Sequence, residues 1–471
     1  MATAEAAPAA TPVPPPAALG SSAVVRGDNS LIAEVRVALD REAAVYVEYA
    51  NEAAGRFRTA TSPAPALEHI IPVVRLRPSS RYTYRVFALD PAGTETEVAD
   101  GSFTTGPLPE ALGSIELTAQ GSPTPELVLM DYRDVASIYI VALDQGSNIV
   151  WYYASPNPFP PAAAGIQAVR QKPDFNLVYY QGSPRTPCCL VEITPLGAAV
   201  DRLVFNDLDD IPHHDHLVLP DNNGLYLAEE TRVIDDTANG GDAETSVTGD
   251  VIRIWDQGSG ATEEVWNSFD HLSTDVRVVW GEGNPRWTHF NSIQLGPRGN
   301  VVVSSRNRNQ VISISPDYQS VEWFLGGPNS FFTFPDLADR FYRQHAATEL
   351  RNGNVLVFDN GAGRPEEEGG EYSRALELAL SDYEITATKV WEYRAVPDIY
   401  ASFISSAYRL ENGNTLVNFG TTTNVVALPI TLVEVERDGT EVWKLEMSGP
   451  SLRNRYRAHP LESIMGESRQ P

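Results

Sequence analysis

Beyond about residue 110 the chain reads as short runs in which apolar and polar positions alternate, each stopped by Gly, Asn or Asp. A period of two with such stops predicts β-strands joined by tight turns, and almost no stretch carries a helical period. One unit recurs: His345 to Leu350 precedes Asn352-Gly353, Ser405 to Leu410 precedes Asn412-Gly413, His214 to Leu219 precedes Asn222-Asn223-Gly224, and His289 to Leu295 precedes Gly299-Asn300. Asn-Gly suits a type I′ hairpin, whose two central residues both need positive φ. Each unit also ends on an aromatic strand, at Trp151, Phe205, Trp266, Trp323, Trp391 and Trp443, spaced about 52 to 68 residues apart. Six such units closing on themselves predict an all-β, six-bladed propeller over residues 107–471. A large sandwich or a β-helix is the competing arrangement. In a propeller the first strand of every blade lines the axis and its start opens on one face, where His214, His289 and His345 fall.

Residues 23–106 alternate as well. Leu76-Arg77-Pro78 through Tyr82-Thr83-Tyr84 to Ala88, with Gly101-Ser102-Phe103-Thr104-Thr105, resembles the corner and closing strand of a fibronectin type III module. A small β-sandwich is therefore expected there, with Gly106-Pro107-Leu108-Pro109 as linker. Residues 1–22 are almost entirely Ala, Pro and Thr and predict a disordered tail. The tail lacks the basic start and apolar centre of a secretory signal, but tails of this kind follow cleavage points. The expectation is a periplasmic or secreted protein whose export signal has been removed.

Composition narrows the partners. A net charge of -27 over 471 residues disfavours nucleic acid and anionic lipid. No apolar run approaches the roughly 18 residues that span a bilayer as a helix, so no membrane insertion is expected, and nothing in the chain opposes a homodimer. Cys188 and Cys189 are the two cysteines and they are adjacent. Their Cα atoms, about 3.8 Å apart, lie below the usual disulfide span, which leaves a strained vicinal disulfide or two thiols as alternatives.

Of eight histidines, five (His213, His214, His216, His289 and His345) lie in or beside hairpin starts, a bias that scattered core or surface histidines would not show. His69 and His271 fall outside the pattern and read as surface residues. His289 and Asn291, two apart on a strand, should share a face, with Arg306 returning on the neighbouring strand. Imidazoles, an amide and a guanidinium without an evident carboxylate form a donor-rich cup suited to an oxyanion such as sulfate or phosphate. Tyr342, Phe341 and Trp287 could stack on an aromatic group or pack in the core, while Glu366-Glu367-Glu368 reads as a solvated acidic loop.

His-His-Asp at 213–215, His-x-Asn at 289–291 with Ser-Ser-Arg at 304–306, Gln-His at 344–345, Phe-Asp-Asn-Gly at 358–361 with Arg364, Tyr-Ser-Arg at 372–374 and Tyr-Arg-Ala at 456–458 together resemble the bacterial arylsulfate sulfotransferases. The resemblance covers about Gly113 to Ala458. It implies a propeller enzyme that moves a sulfuryl group from an aryl sulfate donor to a phenolic acceptor without the nucleotide donor PAPS, a cofactor or a metal. It further implies His345 as nucleophile in a ping-pong scheme through a sulfohistidine. His214, His289 and Arg306 would be the other catalytic groups, and Asn291, His213, Arg364, Arg374 and Tyr342 would bind substrate. Two other readings use the same scaffold: a hydrolase of sulfatase or lactonase type, in which water replaces the phenol, and a non-catalytic binding propeller.

Overall fold

The computed structural model describes residues 14–133, 138–156, 165–183, 186–204, 211–221, 223–239, 241–274, 286–421, 429–449 and 455–470. The chain divides into two compact units, residues 1–108 with 463–471, and residues 109–462.

In the first unit the long strand Ala33–Asn51 alternates buried and exposed positions and serves two sets of partners. Its first half pairs with Ala18–Val25 and Ala66–Val73, its second with Gly55–Arg58 and Arg81–Leu89; Glu95–Thr104 then pairs with Arg81–Leu89. Two details differ from the sequence expectation. The strand Ala18–Val25 begins inside the stretch expected as tail, whose residues 1–13 lie outside the described part. At the other end, Ser468–Gln470 pairs with Gly55–Arg58, so the last residues belong to this unit and not to the propeller. His69 is buried, not superficial, with Nε2 2.9 Å from Ala43 O and 3.1 Å from Ala66 O.

The second unit is a ring of six antiparallel sheets. Blade 1 joins Leu127–Arg133, Ile138–Asp144 and Ile149–Ala154 to the C-terminal strand Ala458–Leu461. Blade 2 is Gly165–Gln171, Leu177–Ser183, Thr186–Ile193 and Ala199–Val204; blade 3 is Ile211–Val218, Gly224–Ile234, Thr245–Trp255 and Thr262–Asn267. Blade 4 is Phe290–Leu295, Val301–Ser305, Gln310–Ile314 and Val321–Leu325; blade 5 is His345–Glu349, Val355–Asp359, Arg374–Ser381 and Thr386–Tyr393. Blade 6 is Ser406–Arg409, Thr415–Phe419, Ile430–Val435 and Glu441–Ser448, extended on its outer side by Glu116–Gly121. The two ends of the unit thus lock the ring, one strand inside blade 1 and one outside blade 6, which leaves no open seam between first and last blades.

The recurrent tryptophans fill the spaces between blades. Trp151, Trp266 and Trp443 are fully buried, and Trp151 Nε1 donates to Pro195 O at 2.9 Å. Burial of that much aromatic surface favours face-to-face blade packing. The hairpin turns differ from the expected type I′. Gly353 N donates to Leu350 O at 2.9 Å and Leu350 N to Asn354 O at 2.8 Å, with positive φ at Gly353 (83°) but not at Asn352. A three-residue loop with glycine in the left-handed position meets the same need to reverse the chain. Residues 410–414 and 296–300 repeat it.

Candidate functional site

The innermost strands of blades 2 to 5 share a local irregularity near their start. Register shifts fall between Gln167 and Arg170, Pro212 and His216, Phe290 and Ser292, and His345 and Thr348. At or beside each shift a non-glycine residue has positive φ: Ala168 (50°), His214 (56°), His289 (51°) and Ala346 (52°). Such residues cost on the order of 1–3 kcal/mol each and persist where the surroundings hold them. A bulge adds one residue to one strand and turns the side chains that follow. This overrides the two-residue periodicity expected for His289 and Asn291. Asn291 is fully buried and points its amide sideways, Nδ2 donating to Gln344 O at 2.8 Å, so it braces the residue before His345 instead of joining the cup.

His345 is 3% exposed. Its Nδ1 lies 2.7 Å from Asn360 Oδ1 and 3.1 Å from Arg343 O. The orientation of Asn360 is fixed because its Nδ2 donates to Ala401 O (2.6 Å) and Ile404 O (3.0 Å). Both neighbours of Nδ1 are therefore acceptors, the proton sits on Nδ1, and Nε2 keeps its lone pair. That lone pair accepts from Ile404 N at 3.2 Å. Ile404 and Ser405 both have positive φ (51° and 82°), which for a β-branched residue marks a constrained turn. Burial first, and the charge of Arg306 next, push the His345 pKa down to about 3, so the ring is neutral throughout the physiological range.

His214 and His289 are half-buried, their ring centroids 4.8 Å apart. Burial, and for His289 the nearby Arg306, hold both well below the usual imidazole range; His345 contributes to both shifts. The three rings therefore occupy one electrostatic neighbourhood, with Arg306, half-buried, acting on His289 and His345. His213 is 1% exposed and sits behind His214, with Nδ1 2.8 Å from His214 Nδ1 and Nε2 2.9 Å from Asp250 Oδ1. It cannot meet a substrate directly. His216 is also buried, beside Asp215 and Arg170, its pKa pushed down to about 3 by burial.

Several candidates prove to be braces. Arg364 and Arg374 are buried and share the Asp359 carboxylate, Arg374 Nε at 3.0 Å. Arg364 also donates to Arg340 O at 2.8 Å, and Arg374 to Glu392, Ala338 O and Arg340 O at 2.8, 2.7 and 3.0 Å. Donors spent this way are not offered to a ligand. Tyr342 donates its hydroxyl to Glu368 at 2.8 Å; Glu368 is buried, so the acidic run is solvated only at Glu366 and Glu367. Trp287 and Phe341 are core residues. Cys189 is disulfide-bonded, while the side chain of Cys188 lies outside the described part.

Other groups appeared in the sequence motifs but were given no role there. Asp215 is a fully buried carboxylate accepting from Arg170 (3.0 and 3.1 Å), Arg457 (2.6 Å), Ile293 N and His216 N (both 2.9 Å). Burial alone would raise its pKa, but the two guanidiniums bring it down to about 2. Arg457 and Tyr456, just before the last propeller strand, both donate to Asn291 O, at 2.8 and 2.7 Å. The Tyr-Arg pair was visible in the sequence, but its partners lie more than 160 residues away. Among the described residues no three His, Cys, Asp or Glu side chains are arranged to hold a metal, and no helix is long and apolar enough to cross a membrane.

Arylsulfate sulfotransferase AssT of Escherichia coli O6:H1 (strain CFT073) is 28% identical over 171 residues, a match covering 28% of this chain and 27% of that protein's length. Among solved structures, a Bacteroides caccae protein of unknown function has 14% identity and a TM-score of 0.44, covering 72% of this chain and 100% of its own. Virginiamycin B lyase of Staphylococcus aureus has 10% identity and a TM-score of 0.35, covering 70% and 99%. Similarity that low carries no argument about chemistry. The model of the arylsulfotransferase (ASST) family, by contrast, matches residues 118–457, from the strand outside blade 6 to the arginine on Asp215, and the chain belongs to that family.

Proposed function

We propose that the protein is a PAPS-independent arylsulfate sulfotransferase that moves a sulfuryl group from an aryl sulfate ester to a phenol in two half-reactions, with His345 as the transient carrier. The observation that carries this reading is the fixed tautomer of His345: Nδ1 is held by Asn360 Oδ1 at 2.7 Å, and the neutral ring keeps a lone pair on Nε2. Such a nitrogen attacks sulfur without prior deprotonation, and the N-sulfonyl imidazole that forms is a reactive donor. Alignment and charge stabilisation matter more than acid chemistry on the transferred group, as in phosphoryl transfer. Arg306 supplies positive charge for the sulfuryl oxygens, and Ile404 N, 3.2 Å from Nε2, is a backbone donor where one of those oxygens would lie. His214 protonates the departing phenolate and His289 lines the same cup. Asn291 and His213 act through other residues, and Arg364, Arg374 and Tyr342 hold the surrounding loops.

The first unit is assigned as a fibronectin III-like module, supported by Tyr82, whose hydroxyl accepts from Arg77 N at 2.8 Å in the manner of a tyrosine corner. A periplasmic or secreted location agrees with the disulfide at Cys189.

Incubation with 4-nitrophenyl sulfate, with and without phenol, tests the activity. Phenol-dependent release of nitrophenol is expected; phenol-independent release would make the protein a hydrolase, and no release would leave a binding propeller. Intact-mass analysis after donor treatment should show a sulfuryl adduct in the wild type and none in His345→Ala, whose turnover should vanish with the fold intact. An unchanged rate in His345→Ala would refute the assignment.

A further inference from the structure

Asp250, on the third strand of blade 3, is 2% exposed, and the scheme above gives it no part. Its Oδ1 lies 2.9 Å from His213 Nε2, while Oδ2 accepts from Phe290 N at 2.9 Å and from the Thr288 hydroxyl, so the carboxylate cannot swing. A carboxylate that close favours a proton on His213 Nε2 by charge, although the ring nitrogen does not meet hydrogen-bond geometry with it. The two Nδ1 atoms of His213 and His214 are 2.8 Å apart, close enough that they share one proton. With that proton on His213, His213 is an imidazolium and the neutral His214 carries its own on Nε2. Once His214 has given its Nε2 proton away and taken the shared one on Nδ1, its Nε2 is a free lone pair and His213 is neutral. The surroundings favour the first state. Burial opposes charge on His213, yet Asp250 and, further off, Glu229 outweigh burial and the repulsion of Arg286 and raise its pKa. His214 is held low by burial and its imidazole neighbours.

We infer that Asp250, His213 and His214 form a proton relay that lets His214 serve as acid in the first half-reaction and as base in the second. This rests on the reading of His345 as sulfuryl carrier. In the first half-reaction His345 Nε2 bonds to sulfur as the sulfur–aryl oxygen bond breaks. The departing oxygen takes the Nε2 proton of His214, and the Nδ1 proton of His213 passes to Nδ1 of His214. In the second, the acceptor hydroxyl gives its proton to His214 Nε2, and the Nδ1 proton returns to His213. The acceptor oxygen then bonds to sulfur as the sulfur–nitrogen bond breaks, and the pair ends as it began. Asp250 touches neither substrate nor sulfur; it is a positioning residue that stabilises the charged form of His213.

The test compares kcat/KM for phenyl sulfate and 4-nitrophenyl sulfate in wild type, Asp250→Asn and Asp250→Glu. Phenolate, whose acid has a pKa near 10, needs the proton; nitrophenolate needs it far less. Asp250→Asn should lose about a hundredfold or more on phenyl sulfate and much less on 4-nitrophenyl sulfate, with Asp250→Glu recovering part of the loss. A carboxylate that merely held the fold would slow both donors by the same factor, and that outcome would overturn the relay alone. Wild type that leaves both sulfates intact would instead refute the transfer reading, and the relay's role with it. Because Asp250 also holds Thr288 and Phe290, nitrogen-15 histidine spectra of the wild type give a second, activity-independent measurement. At pH 6 the His213 ring, assigned by its loss in His213→Gln, should show both nitrogens protonated, and a neutral ring there would overturn the proposal.

Discussion

Replacement of Asn360 by alanine tests the link between tautomer and chemistry. The side chain accepts from His345 Nδ1 at 2.7 Å and donates to Ala401 O and Ile404 O at 2.6 and 3.0 Å. Its loss leaves the buried Nδ1–H with Arg343 O alone, at 3.1 Å, and frees the turn that carries the Ile404 donor. Removing a partner from a buried polar group costs about 1–3 kcal/mol. If about 2–3 kcal/mol of that falls on the positioned nitrogen, the proposed sulfuryl-adduct step slows by roughly 30- to 150-fold, at 1.36 kcal/mol per tenfold. Stopped-flow release of nitrophenol in a single turnover, with thermal unfolding in parallel, measures both consequences. Asn360→Asp should behave differently, because a carboxylate on Nδ1 raises the His345 pKa above its present value of about 3 and makes adduct formation fail progressively as the pH falls. A single-turnover rate within twofold of wild type in Asn360→Ala would refute the argument that this amide sets the nucleophile.

Two further outcomes concern stability. His216 and His345 are buried neutral with pKa values near 3, below the usual imidazole value, so the unfolded chain takes up protons first as the pH falls. Their neutral burial is without penalty above about pH 6.5 and costs stability below it, up to roughly 2 kcal/mol per ring at pH 5. His213, with a raised pKa, works in the opposite sense. Urea midpoints at pH 7 and pH 5 should show the net loss, and equal midpoints would contradict it. Asp215→Asn strands the buried Arg457 and the half-buried Arg170 and should cost about 3–5 kcal/mol, read as a lowered urea midpoint with an unchanged slope; a shift within the error of the midpoint would show that the Arg457–Asp215 pair does not hold the fold.

The ring and its six repeats were legible because hairpin turns and outer-strand tryptophans recur at similar intervals, and each leaves a local trace. The expectation that His214, His289 and His345 group came from the same logic, since each lies near the start of an innermost strand. What could not be read were the bulges: nothing in the sequence around His289 or His345 announces a positive φ, and one extra residue redirects Asn291. Nor could the pairing of Arg364 and Arg374 with Asp359 be foreseen, because a guanidinium near a site looks the same in sequence whether it faces a ligand or a carboxylate. The roles of Asp250 and Asp215 were hidden for a related reason. Their partners lie in other blades or other strands, and no spacing rule links them.

The innermost strand of blade 1 is the last propeller strand in the chain, and Tyr456 and Arg457 immediately precede it. A ribosome must therefore deliver every residue of the propeller up to 457 before the arginine reaches Asp215 and the phenol group reaches Asn291. Until then the histidines sit in an unsealed arc, and under the proposed function a nascent chain cannot begin sulfuryl transfer before that strand is made. Premature stop codons anywhere upstream of residue 456 should accordingly yield inactive protein, however many blades have been completed.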